Sequence, residues 1–335
     1  MDQHSLALVV MVVVFLYLGY QGVPVAFALS AGAIVGTLLT PISLPSIVGE
    51  LFNGINKLEF LAIPFFLLAG DMMTQANVTE RLIRFAQVLV GHFRSGLAHV
   101  VSVSSMIFAG ISGSMTADTA AISTVVMPYM EKEGYPPAFS AALVASASTI
   151  AAMVPPSIMA IVYGAVGNVS ITGLFLAGAV PGFMVGIGLM IYSYFFGPPG
   201  IRKRPASFGD MGRAAGSAAL PMMIPIIIVG GVVSGIFTPA EAGMVAVTYI
   251  LVVLLPLMAR GHIKSLPRDF MEAAILYSLP MSAVASASAV GWLIAYLGGP
   301  DIVDGWIMAL SGGNRIIIMY LLVAVLTIAG DFLDG

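Results

Sequence analysis

The stretch from Gly96 to Met130 is apolar, carries Asp118 as its only Asp, Glu, Lys or Arg, and breaks midway at Ala109-Gly-Ile-Ser-Gly-Ser-Met-Thr-Ala-Asp118. A full helical crossing of a bilayer needs about 20 residues. Two crossings do not fit, because the glycine- and serine-rich interruption takes up part of the length. The pattern predicts a helical hairpin over about 95–130 that enters the membrane and turns back within it. Lipid cannot satisfy free backbone N–H and C=O groups. Non-helical backbone at that depth therefore persists only where protein covers it or where it lines a polar cavity. A turn of this kind marks a binding site.

The rest of the chain agrees with a membrane setting. Of 335 residues 59% are hydrophobic and 9% charged, and the mean hydropathy is +1.03; an ordinary soluble domain carries about 25% charged residues. Ala138 to Gly200 contains no Asp, Glu, Lys or Arg, enough for two spans joined near Gly167-Asn168. The expected fold class is an all-α polytopic membrane protein. A net charge of -3 gives no basis for nucleic-acid binding, and the absence of Cys excludes disulfides and thiol chemistry. Met1-Asp-Gln-His4 lacks the basic start and cleavage site of a signal peptide, so the first apolar run is expected to stay as a span.

Apolar runs fall at Leu6 to Tyr20, Val23 to Leu39, Phe60 to Met73, the hairpin, Ala138 to Gly164, Thr172 to Phe196, Ala214 to Ile236, Ala240 to Met258, Ala273 to Leu297 and Ile316 to Gly330. Alternating crossings, with the hairpin returning to its own side, place 11 of the 13 basic residues on one face and leave Lys57 and Arg315 opposite. The positive-inside rule makes the crowded face cytoplasmic and the N-terminus external. The first hairpin then opens from the cytoplasm, and the run after Arg315 enters from outside. Its Thr327-Ile-Ala-Gly-Asp331 parallels Ile107-Phe-Ala-Gly-Ile111, Gly70 precedes Gly110 by 40 residues, and Gly291 precedes Gly330 by 39. Two repeats of opposite orientation result: 1–200, with a broken span at about 138–164, and 214–335, joined by a basic linker at 201–213. Inverted repeats with broken helices meeting near the midplane are the architecture of secondary transporters.

Ser112-Gly113-Ser114 offers two hydroxyls and free carbonyls at a helix break, which suits Na⁺, a hard cation that takes several oxygens. The same residues also permit close helix packing, and both readings stand at this point. Met153-Val-Pro155-Pro156-Ser157-Ile158 lies in mid-span. Paired prolines there remove two donors and expose carbonyl oxygens, or simply kink a helix that its neighbours support. Asp118 either holds the hairpin turn by accepting backbone N–H bonds or lies near the ion, and Asp331 and Asp334 pose the same choice at the second break. Asp71 is expected at a boundary, Arg81 and Arg84 on an interfacial helix, and Glu241 at a helix N-terminus. Ala69-Gly-Asp71 and Ala329-Gly-Asp331 also suggest a rival, an intramembrane aspartyl protease with two carboxylates sharing a proton.

Taken together, Gly22-Val-Pro-Val-Ala-Phe27, Ile63-Pro-Phe-Phe-Leu-Leu-Ala-Gly70, Phe108 to Ser114, Ala117 to Ile122, Pro155-Pro-Ser-Ile158 with Tyr163-Gly164, Phe237 to Ala242, and Gly330-Asp-Phe-Leu-Asp334 run in one order along the chain. The set resembles the large membrane (DctM-like, M) subunit of the tripartite ATP-independent periplasmic (TRAP) transporters. That resemblance implies an ion-transporter-like fold in the bacterial inner membrane, with a scaffold and a transport domain that moves elevator-fashion. It implies Na⁺-driven import of an organic acid anion such as a C4-dicarboxylate or sialic acid. The partners it implies are a small membrane subunit (Q), expected as a separate polypeptide, a periplasmic substrate-binding protein (P) and membrane lipid. By resemblance, Ser112, Gly113, Ser114, Pro155, Pro156 and Ser157 supply one Na⁺ site. Gly330, Asp331 and Asp334 fall at the second hairpin turn, a second candidate Na⁺ site, where family members continue beyond the position of Gly335. A self-sufficient Na⁺/carboxylate symporter of the same architecture is the alternative within this class.

Overall fold

A computed structural model describes residues 3–75, 78–200 and 205–332, and every regular element among them is helical. The chain begins with α1 (Gln3–Tyr20), α2 (Val25–Leu38) and α3 (Leu44–Ile55). After a 3₁₀ turn at Leu58–Leu61 follow α4 (Ala62–Gln75), α5 (Val78–Val90), α6 (Gly96–Ser112) and α7 (Met115–Lys132). Next come α8 (Pro137–Ser148), a 3₁₀ stretch Thr149–Ala152, α9 (Ile158–Gly167), α10 (Ile171–Phe196) and α11 (Phe208–Pro225). The remainder is α12 (Gly231–Val233), α13 (Pro239–Tyr249), α14 (Leu255–Met258), α15 (Leu266–Tyr296), α16 (Gly299–Ser311) and α17 (Arg315–Phe332). Short π segments, Ile226–Gly230 and Ile250–Leu254, join α11 to α12 and α13 to α14. Pro225 and Pro256 flank them, and each removes a donor from the regular i→i−4 ladder.

Five helical stretches among the described residues are long and apolar enough to cross a bilayer: α1, α10, α11 through α12, α13 through α14, and Arg260–Tyr296. Their large apolar side chains are extensively exposed, as with Phe183, Met184, Ile187 and Ile191 along α10. Apolar surface turned outward along a whole helix belongs against lipid. The chain is a multi-pass, all-helical membrane protein.

Packing divides the chain into two compact units, Met1–Lys57 with Ser278–Gly335 and Leu58–Tyr277, the boundary falling inside α15. In the first unit α2 lies tightly on α1. A Cβ at Gly32 would come 2.9 Å from the Met11 carbonyl, so glycine sets the approach of the two backbones. Ala7, Met11, Leu293 and Leu297 form one core, and the Ser30 and Ser286 hydroxyls hydrogen-bond at 2.8 Å. In the second unit α6 is the central element: 14 of its 17 residues are buried, against α4, α5, α7, α8 and α10. The core around it runs from Ile83 and Ala86 through Val101 and Val126 to Val144.

Two helices, α3 and α16, fall outside the apolar runs expected from sequence. Both are amphipathic, with polar residues spaced among Leu44, Val48 and Phe52 in one and Ile302, Trp306 and Leu310 in the other. At 12 and 13 residues they rise about 18–20 Å, too little to cross the ~30 Å hydrocarbon core. Helix α5 is the amphipathic helix expected around Arg81 and Arg84, burying Val78, Leu82, Ile83, Ala86 and Val90 on one face. Glu241 forms a capping box with Thr238 at the start of α13.

Candidate functional site

Helix α6 stops at Ser112 because Gly113 adopts the left-handed conformation (φ 61, ψ 13), which ends a helix at little cost only for glycine. Ser114 then turns extended (φ -123, ψ 119) and caps α7, its hydroxyl accepting the Ala117 amide at 3.4 Å. With 17 and 18 residues, each arm of this hairpin is shorter than the ~20 residues of a full crossing.

The second break follows the same local plan. Pro155 and Pro156 have no amide to donate to the carbonyls of Ala151 and Ala152 in helical register. Ser157 compensates at one of them. Its hydroxyl donates to the Ala152 carbonyl at 2.6 Å and accepts the Ala160 amide at 3.1 Å, bridging the gap and capping α9. Its backbone (φ -116, ψ 121) closely matches that of Ser114. The 10 residues of α9 rise about 15 Å, half the thickness of the hydrocarbon core.

Gly113 and Pro156 are 43 residues apart in sequence, yet the two breaks touch. The Ile158 amide donates to the Gly113 carbonyl at 3.3 Å. A Cβ at Gly113 would lie 2.2 Å from the Pro156 carbonyl oxygen, so the two backbones are in direct contact. Ser112, Gly113, Ser114, Pro155, Pro156 and Ser157 thus form one cluster in the second unit. The N-termini of α7 and α9 begin at Ser114 and Ser157, and the C-terminus of α6 delivers its last carbonyls to the same place. Helix C-termini favour cations and helix N-termini favour anions.

Asp118, fully buried, supports this turn through a route not anticipated. Its Oδ1 accepts the Ser112 hydroxyl, and the Ser112 Oγ in turn accepts the Ser114 amide at 3.2 Å. The carboxylate holds the turn through a serine rather than by accepting a backbone N–H directly. Its Oδ2 is buried with no hydrogen-bond partner among the described residues. The tightest supports are glycines. A Cβ at Gly178 would meet the Met153 carbonyl at 2.5 Å, one at Gly182 the Val154 side chain at 2.6 Å, and one at Gly70 the Ser112 Cβ at 2.9 Å. Gly178 and Gly182 are spaced four apart on α10, a small-residue signal that is present in the sequence.

At the other end of the chain, Gly330 and Asp331 lie within α17, and Asp334 falls outside the described residues. Arg202, Lys203 and Arg204 of the basic linker are also outside them.

Helices broken at facing serine-capped breaks inside an all-helical polytopic protein are a feature of membrane transporters. Residues 9–335 match the family model of the Tripartite ATP-independent periplasmic transporter, DctM component, and the chain belongs to that family. It is 36% identical over 310 residues to the C4-dicarboxylate TRAP transporter large permease protein DctM of Pseudomonas aeruginosa, covering 91% of this chain and 71% of that one. It is 35% identical over 318 residues to the 2,3-diketo-L-gulonate TRAP transporter large permease protein YiaN of Escherichia coli, covering 93% and 74%. Identity to the sialic acid TRAP transporter large permease protein SiaM of Vibrio cholerae is 34% over 335 residues, covering 96% of this chain and 76% of that one. These relatives are named as transporter permeases. The protein is a transporter component and not an enzyme, which overturns the protease reading of Asp71 and Asp331.

Proposed function

We propose that this chain is the large membrane component of a Na⁺-coupled importer of an organic acid anion in the bacterial inner membrane. The observation that carries the proposal is the direct contact of the two breaks, with the Pro156 carbonyl against Gly113 and the Ile158 amide on the Gly113 carbonyl. One Na⁺ is held where Ser112, Gly113, Ser114, Pro155, Pro156 and Ser157 converge, by carbonyl oxygens of the breaks together with serine hydroxyls. Hard oxygen donors at helix C-termini suit a cation of this kind. The carboxylate of the solute is drawn to the N-termini of α7 and α9, which suits a site with no lysine or arginine in either break. A second Na⁺ is assigned to the Gly330, Asp331 and Asp334 segment, in the opposite-facing repeat 214–335.

In this reading the solute arrives from a periplasmic binding protein, and a small membrane subunit completes the permease. The site crosses the membrane by elevator motion of a transport domain against a scaffold. The basic face is cytoplasmic and the N-terminus periplasmic. Each Na⁺ moving down the membrane potential contributes about 2.3 kcal/mol per 100 mV, so several ions suffice to drive uptake of an acid anion against its gradient.

Proteoliposomes containing this chain with its small subunit, supplied with binding protein and a labelled C4-dicarboxylate or sialic acid, test the coupling. Accumulation is expected only under an inward Na⁺ gradient. Equal uptake with K⁺ in place of Na⁺ overturns the coupling, and full uptake without binding protein favours the self-sufficient symporter.

A further inference from the structure

Gly110 lies in the last turn of α6, three residues before Gly113, and a third element reaches it there. A Cβ at Gly110 would stand 3.1 Å from the Pro225 Cβ of α11 and 3.9 Å from the Pro155 carbonyl oxygen of the second break. The buried Gly110 backbone thus faces both a proline ring and one of the carbonyls assigned to the cation. Pro225 is itself fixed. It closes α11 and opens the π segment Ile226–Gly230, where its missing N–H and its ring, crowding the carbonyl one turn back, interrupt regular i→i−4 bonding. Ile224 and Ile228, on either side of it in sequence, are fully buried. The Tyr249 hydroxyl of α13 donates to the Leu220 carbonyl at 3.1 Å and ties α11 to that helix. A helix irregularity of a kind that recurs at functional sites therefore begins where α11 meets the end of α6.

We propose that Gly110 and Pro225 are positioning residues for the cation site: their contact sets how closely the end of α6 approaches the Pro155 carbonyl, and with it the affinity for Na⁺. Neither residue touches the ion. Pro225 has no amide to compete for a carbonyl oxygen, and its ring, of fixed shape, is a stiffer stop than a flexible side chain. A contact that served packing alone would carry stability and leave the Na⁺ dependence untouched. The inference rests on the assignment of a Na⁺ site to the junction of the breaks.

Na⁺ titrations of the melting temperature of the purified full chain in detergent, with KCl balancing the ionic strength, test the assignment. Gly110→Ala drives a methyl group towards Pro225 and should raise the half-saturating Na⁺ concentration about tenfold, the scale on which groups that orient metal ligands act. Pro225→Gly adds no atom, removes the stop and should raise it as well, and it carries the test if Gly110→Ala does not fold. The double variant Gly110→Ala with Pro225→Gly makes room for the methyl group and should return the half-saturating concentration most of the way to that of the unmodified protein. At Gly186 an added carbon would meet the flexible Met106 side chain of α6 at 2.5 Å, so Gly186→Ala should lower stability and leave the Na⁺ dependence unchanged. An unchanged half-saturating concentration in both single variants overturns the inference and leaves the sodium site standing. A double variant no better than the worse single one, or an equal shift in Gly186→Ala, does the same. An unmodified protein that melts alike in Na⁺ and K⁺ overturns both the inference and the sodium site.

Discussion

Gly113 meets two demands at once, a left-handed backbone and a gap of one atom's width beneath the Pro156 carbonyl. Gly134 meets only the first, with φ +80 and open space around it. The strain of a side chain in that region is about 1–2 kcal/mol. Gly134→Ala should therefore lose about that much stability and keep transport, whereas Gly113→Ala should lose more and abolish uptake by forcing the breaks apart. Thermal melts alongside uptake assays of the two variants check this. The Ser112 and Asp118 pair makes a separate prediction. Ser112→Ala strips the buried carboxylate of its partner, so a double-mutant cycle with Asp118→Asn should return a coupling of about 1 kcal/mol or more. Additive effects would show that the hydroxyl does not hold the turn. Neither pairing was readable from the sequence. Asp118 stands six residues from Ser112 across a turn, and a carboxylate near a helix start suggests a backbone cap before it suggests a serine.

Among elements, α10 shapes the second break. Gly178 faces the Met153 carbonyl with no room for a methyl group, whereas Gly188 on the same helix has nothing within 4 Å. Gly178→Ala should displace the break and reduce uptake severely, and Gly188→Ala should leave both stability and uptake unchanged. A Gly178→Ala variant with full activity would mean the break tolerates displacement. The breaks themselves were legible because Gly113 and the Pro155-Pro156 pair punctuate otherwise continuous apolar runs, and few physical alternatives exist for such residues in mid-membrane. Helices α3 and α16 were not. Polar residues interrupt both, Ser46, Glu50 and Asn53 in α3 and Asp301 and Asp304 in α16, so neither forms an unbroken apolar stretch. That Gly113 meets Pro156 was likewise beyond residue-by-residue reading, since a contact between residues 43 positions apart is a tertiary fact. It entered only through the family resemblance.

Over the whole molecule, the distribution of lysine and arginine makes a prediction about sidedness. The chain has no cysteine, so single cysteines can be placed on the native background. Lys264 and Arg315 are exposed and assigned to opposite faces. Lys264→Cys should react with a membrane-impermeant thiol reagent only after cells are broken, and Arg315→Cys should react in spheroplasts. Reversed labelling would invert the topology and with it the direction from which each hairpin enters. The central claim remains that the junction of the two breaks holds a sodium ion. The melting temperature of the purified protein in NaCl, compared with KCl at equal ionic strength, tests it most directly. The account predicts a saturable rise specific to Na⁺ that Ser114→Ala and Ser157→Ala each shift to higher Na⁺ concentration. A melting temperature indifferent to the choice of cation, or a Na⁺ effect untouched by both substitutions, would contradict it.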